Sequence, residues 1–192
     1  MIDPDPTGPR TAVRPVGLTD LPAVLALKNA SWRETYGRVL PASVFDEKDA
    51  RLREDVAGWT RVLASGARVY LAEEVRDADA GPGAVVVGMA CVGERRPDPR
   101  YAAALAGTGL REDDLPAAQL SAIYVLARAH GTGVGPRLLD AALGDEPAVL
   151  WVLAGNARAE AFYARRGFEA VGAPVPMGDP WGDAGEQLMF RR

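Results

Sequence analysis

A chain of 192 residues suits one domain with enough mass to bury a core, and 48% hydrophobic with 25% charged residues is the ordinary balance of a globular protein. A net charge of −4 argues against general nucleic-acid binding, which needs a basic face, while leaving room for a local basic patch around a phosphorylated ligand. Cys91 is the one cysteine and His130 the one histidine, so neither an intrachain disulfide nor a Cys/His zinc site can be assembled, and no metal is expected.

Met1 to Arg10, with three prolines and a glycine, reads as a flexible tail without the apolar stretch of a leader, and 11–192 as one domain. The longest apolar run, Gly83 to Gly93, is far short of a membrane span, so the expected location is the cytoplasm. Residues 11–16 read as a first strand. Thr19 or Asp20 offers an N-cap, Pro22 sits in a tolerated first-turn position, and Leu21, Val24, Leu25, Leu27 and Trp32 form a helical stripe. Pro41 to Ala64 reads as further helix broken near Asp46–Asp49, with Gly66 as its stop.

Val69–Glu74 and Val85–Val92 read as strands around a hairpin loop at 77–83. Residues 95–117 resemble an insertion with a short helix at Tyr101–Ala106. Leu120–Leu126 is a strand, Gly131–Gly135 a glycine-rich turn, Pro136–Leu143 a helix and Ala148–Leu153 a strand. Asn156–Arg166 is a helix stopped by Gly167, and Phe168–Gly172 and Gln187–Phe190 close the chain as strands. The order is mixed α/β or α+β, not a doubly wound parallel sheet.

The chemistry concentrates in Tyr124-Val125-Leu126, then His130-Gly131-Thr132-Gly133-Val134-Gly135 and a helix. Free backbone N–H groups at a helix start, helped by the helix dipole, favour an anion such as phosphate. Pro136-Arg137 after Gly135 excludes the Walker sequence, and Pro136 stands where the dinucleotide fingerprint needs glycine. A second segment follows: Asn156-Ala157-Arg158-Ala159-Glu160-Ala161-Phe162-Tyr163, then Arg165-Arg166-Gly167-Phe168.

Together these segments resemble the acyl-CoA-binding motifs of the GNAT N-acetyltransferase family, Q/R-x-x-G-x-G/A and N-x-x-A-x-x-F-Y-x-x-x-G-F. The likeness covers 118–170 well, and the earlier chain loosely, through Trp32-Arg33-Glu34-Thr35-Tyr36 and Leu40-Pro41. It implies an α+β GNAT fold with a central, mixed, mostly antiparallel sheet flanked by helices. It implies acetyl transfer from acetyl-CoA to a primary amine of a small molecule or peptide, with no nucleic-acid or membrane partner and with a homodimer as one assembly open to it.

The resemblance also implies residue roles. Backbone amides of Gly131, Thr132, Gly133, Val134 and Gly135 would hold the pyrophosphate. Tyr124, Val125 and Leu126 would pair with the pantetheine arm, Asn156 would hydrogen-bond that arm, and Tyr163 would protonate the departing thiolate. His130 stands where the family has Gln or Arg and could still face phosphate. Asn156 equally suits a plain N-cap and Tyr163 a packed ring. Gln119 occupies the strand position where many members place a glutamate base, so a base would have to be Glu34, Glu73 or water. A non-catalytic acyl-CoA-binding sensor is the alternative. Trp32, Tyr36 and the loop from Pro174 to Trp181 would frame the acceptor.

Overall fold

The structure is a computed structural model and describes residues 10–38, 40–74 and 85–192. The tail expected over 1–10 lies outside the described residues except for Arg10, and so does the hairpin loop expected at 77–83. Seven strands form one sheet in the order β1-β2-β3-β4-β5-β7-β6. They are β1 (Thr11–Pro15), β2 (Arg68–Glu74), β3 (Val85–Glu94), β4 (Ala118–Val125), β5 (Ala148–Leu153), β6 (Glu169–Pro176) and β7 (Gly185–Arg191). The sheet is mixed, as expected: β1/β2, β5/β7 and β6/β7 are antiparallel, and β4/β5 is parallel over Ala118↔Ala148 and Gln119↔Val149. Six α-helices accompany it among the described residues: α1 (Leu21–Tyr36), α2 (Ala42–Ala50), α3 (Leu52–Ala64), α4 (Arg100–Leu105), α5 (Val134–Ala142) and α6 (Ala157–Ala164). None is long and apolar enough to cross a membrane.

The chain divides into two compact units. The first takes the chain to Gly37, Pro41–Cys91 and Ala122–Ala142. Its core joins Leu21, Val24 and Leu27 of α1 to Val69, Leu71 and Met89 of the strands. Helix α3 buries no residue fully, but Val56, Trp59, Val62 and Leu63 lean on that core. Helix α5 buries Val134, Leu138, Leu139 and Ala142, whose 4-1-3 spacing is that of one helical face. Gly88 on β3 makes this packing fit: a Cβ there would lie 2.8 Å from Leu138 Cδ1 and 3.1 Å from the Tyr124 carbonyl.

The second unit takes Arg38–Leu40, Val92–Ser121 and Leu143–Arg192. Tyr101, Ala104 and Leu105 of α4 pack on Val149, Leu188 and Phe190. The Tyr101 and Trp151 rings stack at 5.5 Å, and the Arg100 guanidinium lies 4.8 Å over Trp151 while pairing with Asp98 and Glu186. Strand β6 slips register against β7 between Val171 and Val175.

Three local expectations are corrected. The break expected near Asp46–Asp49 falls at Arg51 (φ −90°, ψ 6°), because Asp46 and Asp49 are helical and turn their carboxylates to Arg33, with Asp49 also accepting from Asn29. Neither Thr19 nor Asp20 caps α1 with its side chain. Residues 18–20 form a 3-10 turn, and the Asp20 carboxylate turns back to Arg14 (2.7 and 2.9 Å) and the Gly17 N–H (2.8 Å). Helix α5 begins at Val134 rather than Pro136, so Gly135 and Pro136 are its first turn, where a missing N–H costs nothing.

Candidate functional site

The glycine-rich turn lies in the first unit, between the end of β4 and the start of α5. Gly131 (φ +80°) and Gly133 (φ +83°) are left-handed, a conformation that a Cβ would penalise. A Cβ built on either would meet no atom within 4 Å, so the backbone faces open space there. At this end the Arg137 N–H donates to the Gly133 carbonyl at 3.2 Å as α5 begins. The amides from Gly131 to Gly135 precede it, which is the arrangement that receives an anion at a helix start. The residues present fit a pyrophosphate on both counts.

The end of β4 is specific about direction. The Leu126 N–H donates to the Val87 carbonyl at 3.0 Å, and the Tyr124 carbonyl lies against Gly88, so both residues turn their backbone toward β3. Strand alternation then turns the backbone of Val125 the other way. Of the three residues expected to pair with pantetheine, Val125 is the one whose backbone groups face away from β3. Its carbonyl accepts a hydrogen bond from His130 Nε2 at 2.8 Å, which fixes the proton on that nitrogen. The His130 ring is thus folded back onto the strand end rather than out over the turn. Thr132 Oγ1 closes the loop by donating to the Ala129 carbonyl at 2.8 Å.

Sequence reasoning missed two contacts of this connection. The Ala127 N–H donates to Glu34 Oε2 at 2.8 Å, and the Arg128 guanidinium pairs with Glu74. Both link the turn to distant elements, and pairing across such separations leaves no local pattern to read. Glu73, a candidate base, is held by Arg14 at 3.2 Å. Trp32 and Tyr36, expected at an acceptor pocket, meet edge to face at 5.3 Å on α1, with the Lys48 ammonium 4.1 Å over the Trp32 ring.

The second unit carries the other motif. Asn156 Oδ1 accepts from the Ala159 N–H at 3.2 Å, a standard N-cap, and Glu160 Oε1 returns to the Gly155 N–H at 2.9 Å. With Oδ1 committed to the cap, the NH2 group is what Asn156 has to offer a ligand. Tyr163 is 8% exposed, its ring between Phe162 (5.2 Å) and Phe168 (5.8 Å), so it is packed on α6 as well as present in the motif. Gln119 is half-buried on β4 in register with Val149.

The match to known proteins follows the same segment. A family model described as an acetyltransferase (GNAT) domain matches residues 65–170, more than half of the chain. No curated protein matches the chain. Among solved structures, a histone acetyltransferase HPA2 and related acetyltransferase from Corynebacterium glutamicum is 25% identical at a TM-score of 0.56, with 94% of this chain and 95% of that one covered. The PaiA N-acetyltransferase of Thermoplasma acidophilum, in complex with coenzyme A, is 15% identical at a TM-score of 0.60, covering 95% and 99%. The putative acetyltransferase YncA of Salmonella typhimurium, with its cofactor acetyl-CoA, is 20% identical at 0.60, covering 95% and 93%. The last two share the fold. With its seven-stranded mixed sheet, its two left-handed glycines before α5 and the family match over 65–170, the chain belongs to the GNAT acetyltransferase family.

Proposed function

We propose that this protein transfers the acetyl group of acetyl-CoA to a primary amine of a small molecule or peptide, in the cytoplasm and by direct attack. The observation that carries the reading is the open, left-handed Gly131–Gly133 turn running into α5 inside the family match. The amides of Gly131, Thr132, Gly133, Val134 and Gly135 hold the pyrophosphate, and Val125 pairs its outward backbone with the pantetheine arm. Asn156 supplies its NH2 group to that arm. The neutral amine attacks the thioester carbonyl carbon; the C–N bond forms as the C–S bond breaks, and the Tyr163 hydroxyl gives its proton to the thiolate. The proton of the attacking amine leaves to water, because Gln119 has no basic group, Glu73 is paired to Arg14 and Glu34 accepts the Ala127 N–H.

A second reading, a non-catalytic acyl-CoA sensor, is favoured by that same Gln119. Thermal melting separates both from a structural turn. Acetyl-CoA or CoA at 100 times its dissociation constant adds about 2.7 kcal/mol, a clear rise in melting temperature. Unchanged melting at millimolar acetyl-CoA, with NADH and ATP as controls, refutes the cofactor assignment. A panel of amines followed by CoA release then divides the enzyme from the sensor.

A further inference from the structure

Glu34 lies near the end of α1, and its exposed side chain reaches a residue 93 positions away, where Oε2 accepts the Ala127 N–H at 2.8 Å. Ala127 is the point at which the chain leaves the sheet. The bond from the Leu126 N–H to Val87 is made just before it, and from Ala127 the chain closes into a 3-10 turn over Ala127–Ala129. Within that turn the Ala129 N–H donates to Leu126 and the His130 N–H to Ala127, at 2.9 and 3.1 Å. The opening amide of such a turn has no partner inside it, and Glu34 supplies one from another helix.

From Ala127 onward short bonds succeed one another without a gap. His130 Nε2 donates to Val125, Thr132 Oγ1 donates to Ala129, and the left-handed glycines come directly after. A chain bonded this closely transmits its starting direction, so the position of the Ala127 amide sets where the amides of Gly131 to Gly135 point. A general base, by contrast, must aim its lone pairs at the attacking amine, whereas one carboxylate oxygen of Glu34 is already committed to the backbone.

We propose that Glu34 is a positioning residue of the cofactor site, capping the Ala127 amide and so fixing the exit from β4 into the glycine turn. The proposal rests on the reading of that turn as the acetyl-CoA site. The test compares wild type, Glu34→Gln and Glu34→Ala for acetyl-CoA affinity by calorimetry, amide hydrogen exchange by NMR, and melting without ligand. Removing the acceptor in Glu34→Ala weakens acetyl-CoA binding about 3- to 10-fold and speeds exchange at Ala127 by a similar factor, leaving the α1 amides as protected as in wild type. Glu34→Gln restores both, because its amide oxygen accepts the same N–H.

Wild-type affinity in Glu34→Ala overturns the proposal, as does a Gln variant that fails as badly as Ala. A Gln variant that binds normally but no longer releases CoA with an amine that wild type acetylates makes Glu34 the base and also overturns it. Absence of acetyl-CoA binding by wild type defeats the cofactor reading and the proposal together. That failure is visible in the wild type alone, whereas the proposal's own failure appears only in the variants.

Discussion

Tyr163 carries the sharpest chemical expectation of any single residue. Its ring is held edge to face by Phe162 and Phe168, and phenylalanine at the same place keeps both contacts. Tyr163→Phe therefore keeps the ring and removes the hydroxyl that would donate the proton. On the proposed role, in which the hydroxyl acts only as the sulfur leaves, acetyl-CoA affinity stays near wild type. Turnover with a working amine falls by something on the order of 10²- to 10⁴-fold. Measuring both constants on one variant decides the matter: unchanged turnover removes Tyr163 from the chemistry and leaves it a packed aromatic.

Among the elements, β6 and α4 depend on one position. Gly172 has φ +63°, and a Cβ there would stand 1.7 Å from the Ala104 carbonyl oxygen, so at this point strand and helix meet backbone to backbone. The register slip between Val171 and Val175 sits at the same place. Gly172→Ala forces the backbones apart and strains φ, for a loss of about 1–3 kcal/mol. Chemical denaturation measures it, and an unchanged midpoint would show that α4 yields freely.

What was legible at this scale follows from where the determining partner lies. Strand β5 was read at its true bounds because Ala148, Val149 and Leu150 are buried in succession, which leaves a continuous apolar run. Helix α6 was legible because Asn156 and Gly167 punctuate it locally. The exit of α2 was misplaced because Asp46 and Asp49 look like breakers until Arg33 and Asn29 arrive from α1. The cap at Asp20 was misjudged for the same reason, since Arg14 takes its carboxylate. The left-handed glycines of the turn and the N-cap at Asn156 are legible in the local sequence, whereas the contacts of His130 with Val125 and of Glu34 with Ala127 belong to tertiary structure.

Across the whole molecule, arginine–aspartate pairs tie stability to acid. Hydrogen bonds from Arg14, Arg33 and Arg100 hold Asp20, Asp49 and Asp98 below the ordinary carboxylate value of 3.8. A depressed folded value means that the unfolded chain takes up protons first. The stabilisation is complete above the unfolded value and is lost as pH falls through the lower folded values. Melting temperature should hold level near neutrality and drop below about pH 4. Asp98→Asn lowers it at pH 7, and the gap to wild type narrows on acidification; a gap of the same size at about pH 2 would dissociate Asp98 from the effect.

The parallel pairing of β4 with β5 has a kinetic consequence. Ala118 and Ala148 become neighbours after the whole intervening stretch, with its 3-10 turn, its glycines and α5, has closed on itself. Closing such a loop costs chain entropy before the pairing returns anything. Refolding should therefore be limited by the closure of this stretch, the same one proposed to hold the pyrophosphate. Substitutions that loosen it, such as Glu34→Ala, should slow the folding arm of a chevron plot more than they hasten the unfolding arm.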